Sequence, residues 1–241
     1  MAAHRPAADG GGRHRDGLAV IRVVLADDER MVRTALRAIL GAEADMEVVG
    51  EAANGAEAVS LIRELRPDVV LMDVRMPDTD GIRATERVLS GMAEPPRVIV
   101  VTTFENDSYV YDALRAGASG FLLKRARADE LVQAVRLVAR SDSLLFPAAV
   151  RALAARHAGE RTSGAAPPDA ARALRDRLSG REGAVLRLMA AGLTNAEIAD
   201  RLGVGPATVK THVAGVLAKL RVRDRTQAVI AAYECGFVRP G

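Results

Sequence analysis

Five polar residues follow short apolar runs in this chain: Asp27 and Asp28 after 21–26, Asp73 after 69–72, Thr102 after 98–101, and Lys124 after 120–123. Between those runs lie amphipathic stretches, and this alternation predicts a doubly wound parallel sheet. In an open parallel α/β sheet the ligand site lies outside the carboxyl ends of the strands, so these five side chains can converge on one small acidic pocket. Three carboxylates so close together need a cation to stay ionised, and a hard divalent ion such as Mg²⁺ prefers such oxygen ligands. With a phosphoryl oxygen held there, Asp73 is suited to act as nucleophile, Lys124 to pair with a second oxygen and the Thr102 hydroxyl to bond a third. The pocket has the parts needed to form an aspartyl phosphate.

Lysine is scarce in this chain. Of 34 basic residues only Lys124, Lys210 and Lys219 are lysines. An ammonium on a thin stem reaches a crowded phosphate as a point charge where a guanidinium fork does not fit, which sets Lys124 apart from an interchangeable surface charge.

The pattern predicts strands at 21–26, 46–51, 69–73, 97–102 and 119–123, with helices near 29–41, 55–66, 81–90, 107–116 and 127–139. Gly55, Pro67, Gly81, Pro95, Pro96 and Gly117 punctuate the joins. The expected fold is a flavodoxin-like, five-stranded doubly wound α/β domain over 21–140, followed by an all-α domain of four helices over 178–241. Residues 1–20 read as a disordered tail, and 141–177 as a linker with a candidate short helix over 147–157 and its flexible part at 158–170.

The segments Val24-Leu25-Ala26-Asp27-Asp28-Glu29, Leu71-Met72-Asp73-Val74-Arg75-Met76-Pro77 with Asp80-Gly81, Val101-Thr102-Thr103 and Gly120-Phe121-Leu122-Leu123-Lys124 together resemble a two-component response-regulator receiver domain. The resemblance implies that Asp73 is the phosphoacceptor and Lys124 the phosphate-binding lysine. It also implies that Asp28 is a direct Mg²⁺ ligand, Asp27 a ligand acting largely through water, and the Arg75 backbone carbonyl a further ligand. Thr102 and Phe121 match the family's switch pair. Each of these residues also has a plain structural reading: Asp27 and Asp28 as helix caps, Asp73 as a turn residue, Thr102 as a β-branched strand residue and Phe121 as a core aromatic. Their joint occurrence at successive strand ends favours the site.

The C-terminal part carries helix-start signals at Ser179 to Glu182, Thr194 to Glu197 and Asp224 to Gln227, each fitting the reciprocal capping box. Gly205-Pro206 opens the remaining helix with a proline at its first position, where its missing N–H is not needed. On that helix Val209, Val213, Val216, Leu217 and Leu220 share one face, which leaves Lys210, Thr211 and Ala214 together on another. Glu182, Leu193-Thr194-Asn195-Ala196-Glu197-Ile198-Ala199, Thr208-Val209-Lys210-Thr211-His212-Val213 and Leu220-Arg221-Val222-Arg223-Asp224-Arg225 closely resemble the LuxR-type helix-turn-helix domain. Joined to a receiver, this makes the whole chain similar to a NarL/FixJ-family response regulator.

That resemblance implies a helix entering the major groove of promoter DNA. Lys210, Thr211 and Ala214 would face base edges, while Thr208, His212 and Lys219 would meet phosphates. It further implies a homodimer on phosphorylation, with an exposed apolar seam of Val229, Ala232 and Tyr233 as the contact. Two departures from the family stand out: Gly205 replaces the usual side-chain cap, and Arg221 stands where glycine is usual.

Charge follows the same division. Residues 21–139 carry 15 Lys plus Arg against 20 Asp plus Glu, a net of −5, whereas 178–241 carry 9 against 5, a net of +4. A basic C-terminal module attracts a polyanion and an acidic N-terminal one does not. Cys235 is the only cysteine, so no internal disulfide forms. With no bilayer-length apolar run and no signal-peptide core, a reducing cytoplasm is the expected compartment. His4, His14, His157 and His212 are too scattered to suggest a metal site.

The reading is a phosphorylation-controlled transcription factor served by a sensor histidine kinase, not an enzyme. An aspartyl-phosphate hydrolase of the haloacid dehalogenase type would need Asp-x-Asp at the nucleophile, and Arg75 occupies the second position. A receiver that is never phosphorylated and serves only for dimerisation stays open on sequence alone. Arg75 and Phe104 are placed to flank the approach of hydrolytic water to Asp73, which predicts slow loss of the phosphoryl group.

Overall fold

The computed structural model describes residues 20–103, 107–140 and 168–238. The expectations for the N-terminal tail, for Phe104, and for the helix at 147–157 lie outside the described residues, as does nearly all of the stretch at 158–170.

The first domain alternates β1 (Ile21–Ala26), α1 (Arg30–Gly41), β2 (Met46–Ala52), α2 (Gly55–Leu65), β3 (Val69–Asp73), α3 (Gly81–Gly91), β4 (Arg97–Thr102), α4 (Asp107–Arg115), β5 (Gly120–Leu123) and α5 (Ala128–Arg140). These bounds fall within a residue or two of those read from the sequence. The strands form one parallel sheet in the order β2-β1-β3-β4-β5. Side chains along β1, β3 and β4 alternate between two apolar layers. Val24, Val70, Val98 and Val100 pack with α2, α3 and α4, while Val23, Leu25, Leu71, Ile99 and Val101 pack with Leu40 of α1 and Leu131 and Val135 of α5. Because both faces are covered, the inner stretches Val23–Ala26 of β1, Val69–Met72 of β3 and Val98–Val101 of β4 are continuously apolar until their carboxyl ends. The pairs Ala26↔Met72, Asp73↔Val101 and Thr102↔Leu123 bring those ends to one edge of the sheet.

The second domain contains α6 (Pro168–Arg177), α7 (Gly180–Ala190), α8 (Asn195–Leu202), α9 (Pro206–Leu220) and α10 (Arg225–Glu234). Helix α6 corrects the expected linker, whose last ten residues are helical. Its sequence is rich in Ala and Arg and carries one core anchor, Leu174, which is buried with Leu178 against the domain. The capping boxes at Ser179/Glu182 and Thr194/Glu197 form as expected. The third forms by half: Asp224 accepts from the Gln227 amide, but the Gln227 side chain donates to the Leu114 carbonyl in the first domain.

That last bond belongs to an interface between the domains, in which α10 lies against α4 and meets Ser119, the residue before β5. Ser119 holds the N-terminus of α10 twice. Its hydroxyl donates to Asp224 Oδ2 at 2.9 Å, and its carbonyl accepts from Thr226 Oγ1 at 2.8 Å. At the other end of α10, Tyr111 donates to Glu234 at 2.7 Å and Arg115 pairs with the same carboxylate at 3.3 Å. Burial pushes the Asp224 carboxyl up, opposed by the Gln227 amide, Ser119 and Arg97, the last 3.7 Å away.

Candidate functional site

Each acidic residue of the pocket is placed by the end of a strand. Asp27 follows β1, with its amide on the Ala52 carbonyl at 3.1 Å, so it continues the β1–β2 ladder by one rung. Asp73 ends β3. Just beyond it the chain makes a turn closed by the bond from Gly81 N to the Val74 carbonyl, 2.9 Å. A Cβ on Gly81 would stand 1.8 Å from the Asp73 carbonyl oxygen, so only glycine lets α3 begin this close to the end of β3.

Asp27, Asp28 and Asp73 offer carboxylate oxygens that all lie within 4.8 Å of one another. Asp27 is 2 % exposed and Asp73 5 %, while Asp28 opens to solvent. Lys124 Nζ sits 2.9 Å from each of Asp27 Oδ2, Asp73 Oδ2 and Glu29 Oε1. Burial raises the Asp73 carboxyl; Lys124 opposes this and neighbouring Asp27 adds to it. Burial pulls Lys124 down, but its contacts with Asp27, Glu29 and Asp73 outweigh that and push it up. Thr102 is buried at the end of β4, and its carbonyl accepts from the Lys124 amide at 2.8 Å, while Phe121 is half-buried on β5.

Helix capping does not explain the acidic pair. The N-cap of α1 is Glu29, without a side-chain cap bond, and the residue whose side chain meets a local amide is Asp27, through Oδ1 to Glu29 N at 2.9 Å. The buried Asp27 Oδ2 meets Lys124 Nζ at 2.9 Å as an ion pair and has no further hydrogen-bond partner among the described residues. A hard cation fits this donor set. Asp27, Asp28 and Asp73 supply carboxylate oxygens, and the Arg75 amide, 3.3 Å from Asp73 Oδ1, fixes the loop that carries the Arg75 carbonyl.

In the second domain Val209 and Val216 of α9 are fully buried and Val213, Leu217 and Leu220 half-buried, whereas Thr208, Lys210, Thr211 and Ala214 face solvent. His212 is half-buried. Lys219, expected at the phosphate backbone, is bound to Glu182 at 2.6 Å. A Cβ on Gly215 would come within 2.7 Å of Glu182 Oε1, so that glycine leaves room for the bridge. The seam expected to be exposed is not. Val229 and Ala232 are 0 % and Tyr233 7 % exposed, because α10 packs on α7 and α9 of its own domain and on α4 of the first.

Comparison with known proteins agrees with both halves. Residues 23–136 match the response regulator receiver domain, and 176–232 match the bacterial regulatory proteins of the luxR family. The chain is 41 % identical over 216 residues to the transcriptional regulatory protein LiaR of Bacillus subtilis, covering 89 % of this chain and 97 % of LiaR. It is 40 % identical over 219 residues to the transcriptional regulatory protein YxjL of the same species, covering 91 % and 98 %. A structure of the Salmonella typhimurium RcsB response regulator shares the fold, with 24 % identity, a TM-score of 0.52, and coverage of 87 % of this chain and 96 % of that one.

A receiver joined to a LuxR-type helix-turn-helix domain defines a DNA-binding two-component response regulator, a transcriptional regulator and not an enzyme. This chain belongs to the NarL/FixJ family of these proteins.

The Lys219–Glu182 bridge and the anchoring of α10 by Ser119 are among the features that escaped sequence reading. Both join residues far apart in the chain, and no local spacing signals either.

Proposed function

We propose that a sensor histidine kinase phosphorylates Asp73 and that this modification controls pairing of the chain and its binding to promoter DNA. The observation that carries the reading is the group of three carboxylates within 4.8 Å, with Lys124 2.9 Å from the nucleophile. In the transfer an Asp73 oxygen forms the O–P bond as the N–P bond of the donor phosphohistidine breaks, and the imidazole nitrogen keeps the electron pair and takes up a proton. Mg²⁺ held by Asp27, Asp28, Asp73 and the Arg75 carbonyl would neutralise charge on the phosphoryl oxygens. Lys124 meets one of those oxygens and the Thr102 hydroxyl another.

Response then passes to the domain interface. Thr102 and Phe121 are the switch pair, and Phe121 stands two residues after Ser119, which holds α10. Rearrangement around Phe121 loosens that hold, and α10 leaves α4. The face of α10 that carries Gln227 and Glu234 then becomes available as the homodimer contact, since Val229, Ala232 and Tyr233 stay packed within their own domain, while Lys210, Thr211 and Ala214 read bases and Thr208, His212 and Lys219 meet phosphates. Lys219 exchanges its bond to Glu182 for a phosphate oxygen. The cytoplasm, where kinase and promoter meet, is the place of action; among the described residues no helix is long and apolar enough to cross a membrane.

Labelling with a small phosphodonor tests the site. Asp73→Asn keeps nearly the same shape without the nucleophile, so incorporation from acetyl phosphate in the presence of Mg²⁺ should vanish. Incorporation at the wild-type level would remove Asp73 from its role.

A further inference from the structure

We propose that Arg33 is a positioning residue for the acidic pair, an inference that rests on reading the pocket as a metal site. Arg33 lies in the first turn of α1 and holds three consecutive carbonyls. Its amide donates to the Glu29 carbonyl at 3.1 Å, and its Nη1 donates to the Asp27 carbonyl at 2.6 Å and the Asp28 carbonyl at 3.3 Å. The segment that carries two of the three carboxylates is thus fastened through its backbone by one guanidinium.

The guanidinium is itself held. Its Nε pairs with Glu51 Oε2 at 3.2 Å, and the Arg33 side chain is 14 % exposed. Glu51 lies opposite Leu25 in the β1–β2 register, one residue before the end of β2. It also binds Arg37 one turn further along α1, and Arg37, with a smaller contribution from Arg33, keeps its carboxyl below the ordinary range against the effect of burial. A chain of contacts therefore runs from the edge strand through Glu51 and Arg33 to the backbone of Asp27 and Asp28.

Mg²⁺ demands nearly ideal octahedral geometry, so a ligand segment that must first be ordered binds it less well. Arg33 meets that need with directed bonds to carbonyls that the ladder no longer reaches, since the last rung is Asp27 N to the Ala52 carbonyl. A lysine at this position has no planar fork to span both carbonyls and Glu51 together.

Calorimetric titration of Mg²⁺ into the full-length protein, with thermal unfolding recorded in parallel without metal, tests the inference. Arg33→Met should raise the Mg²⁺ dissociation constant by about 10-fold, the lower end of the effect of removing a group that orients metal ligands. Arg33→Lys and Glu51→Gln should raise it less. A purely structural role would lower the metal-free unfolding temperature and leave the dissociation constant where it was. Asp28→Asn separates the two layers of the inference. If it abolishes binding while Arg33→Met stays within about twofold of wild type, Arg33 has no positioning role. If Asp28→Asn binds like wild type, the metal reading beneath the inference fails. Should Arg33→Met not fold, an unchanged dissociation constant in Glu51→Gln overturns the proposal.

Discussion

At Arg221 the backbone turns left-handed, with φ 58° and ψ 41°, just past the end of α9. Non-glycine residues adopt this conformation at a cost of about 1–3 kcal/mol, part of which a glycine loses again through greater freedom of the unfolded chain. Arg221→Gly should therefore stabilise the DNA-binding domain by about 1 kcal/mol. Chemical denaturation measures this, and unchanged DNA affinity in the same variant would show that the Arg221 charge is a solvated one. Lys210 is exposed on α9, and Lys210→Ala should weaken specific binding by about 1–3 kcal/mol and relax discrimination at one base position. Equal loss on random DNA with a smaller salt dependence would assign Lys210 to the phosphate backbone instead. Asp27, Asp28, Asp73, Thr102 and Lys124 were legible as a group because a parallel sheet fixes where strand ends lie. Arg33 was not, since its partners depend on the pairing of β1 with β2 and on the path of a long side chain.

Among the elements, α9 leans on a bridge that sequence spacing does not announce. The Lys219 ammonium beside Glu182, with the Ser179 amide, holds the Glu182 carboxyl at about 2 against an ordinary value near 4.5. The folded value is depressed, so the stabilisation is fully present above about 4.5 and is lost as pH falls towards about 2. Thermal unfolding between those limits should be steeper in pH for wild type than for Glu182→Gln, and identical slopes would refute the bridge. The sheet and its five helices could be read closely because apolar runs, breakers and amphipathic stretches alternate regularly. Helix α6 could not, because its helicity is secured by docking Leu174 and Leu178 rather than by an apolar stripe of its own. Nor does sequence say whether an apolar residue on α10 packs within its domain, against the receiver, or against a second copy.

Across the whole molecule, the arrangement leaves exposed the face of α9 proposed to read DNA, while the receiver covers the Gln227 and Glu234 side of α10. On the proposed reading, closure restricts pairing rather than contact with a single half-site. Weakening the interface away from the phosphorylation pocket should mimic activation: Ser119→Ala combined with Tyr111→Phe removes a hydroxyl donor at each end of α10 and should shift unphosphorylated protein towards dimer in sedimentation velocity. The most direct test is the ratio of affinity for an inverted repeat to affinity for one half-site, measured before and after treatment with acetyl phosphate and Mg²⁺. Two linked readers gain effective concentration, so the ratio should rise by about 100-fold on phosphorylation of wild type and stay unchanged in Asp73→Asn. A ratio that does not move in wild type, with the protein monomeric in both states, would contradict control of DNA binding through phosphorylation-driven pairing.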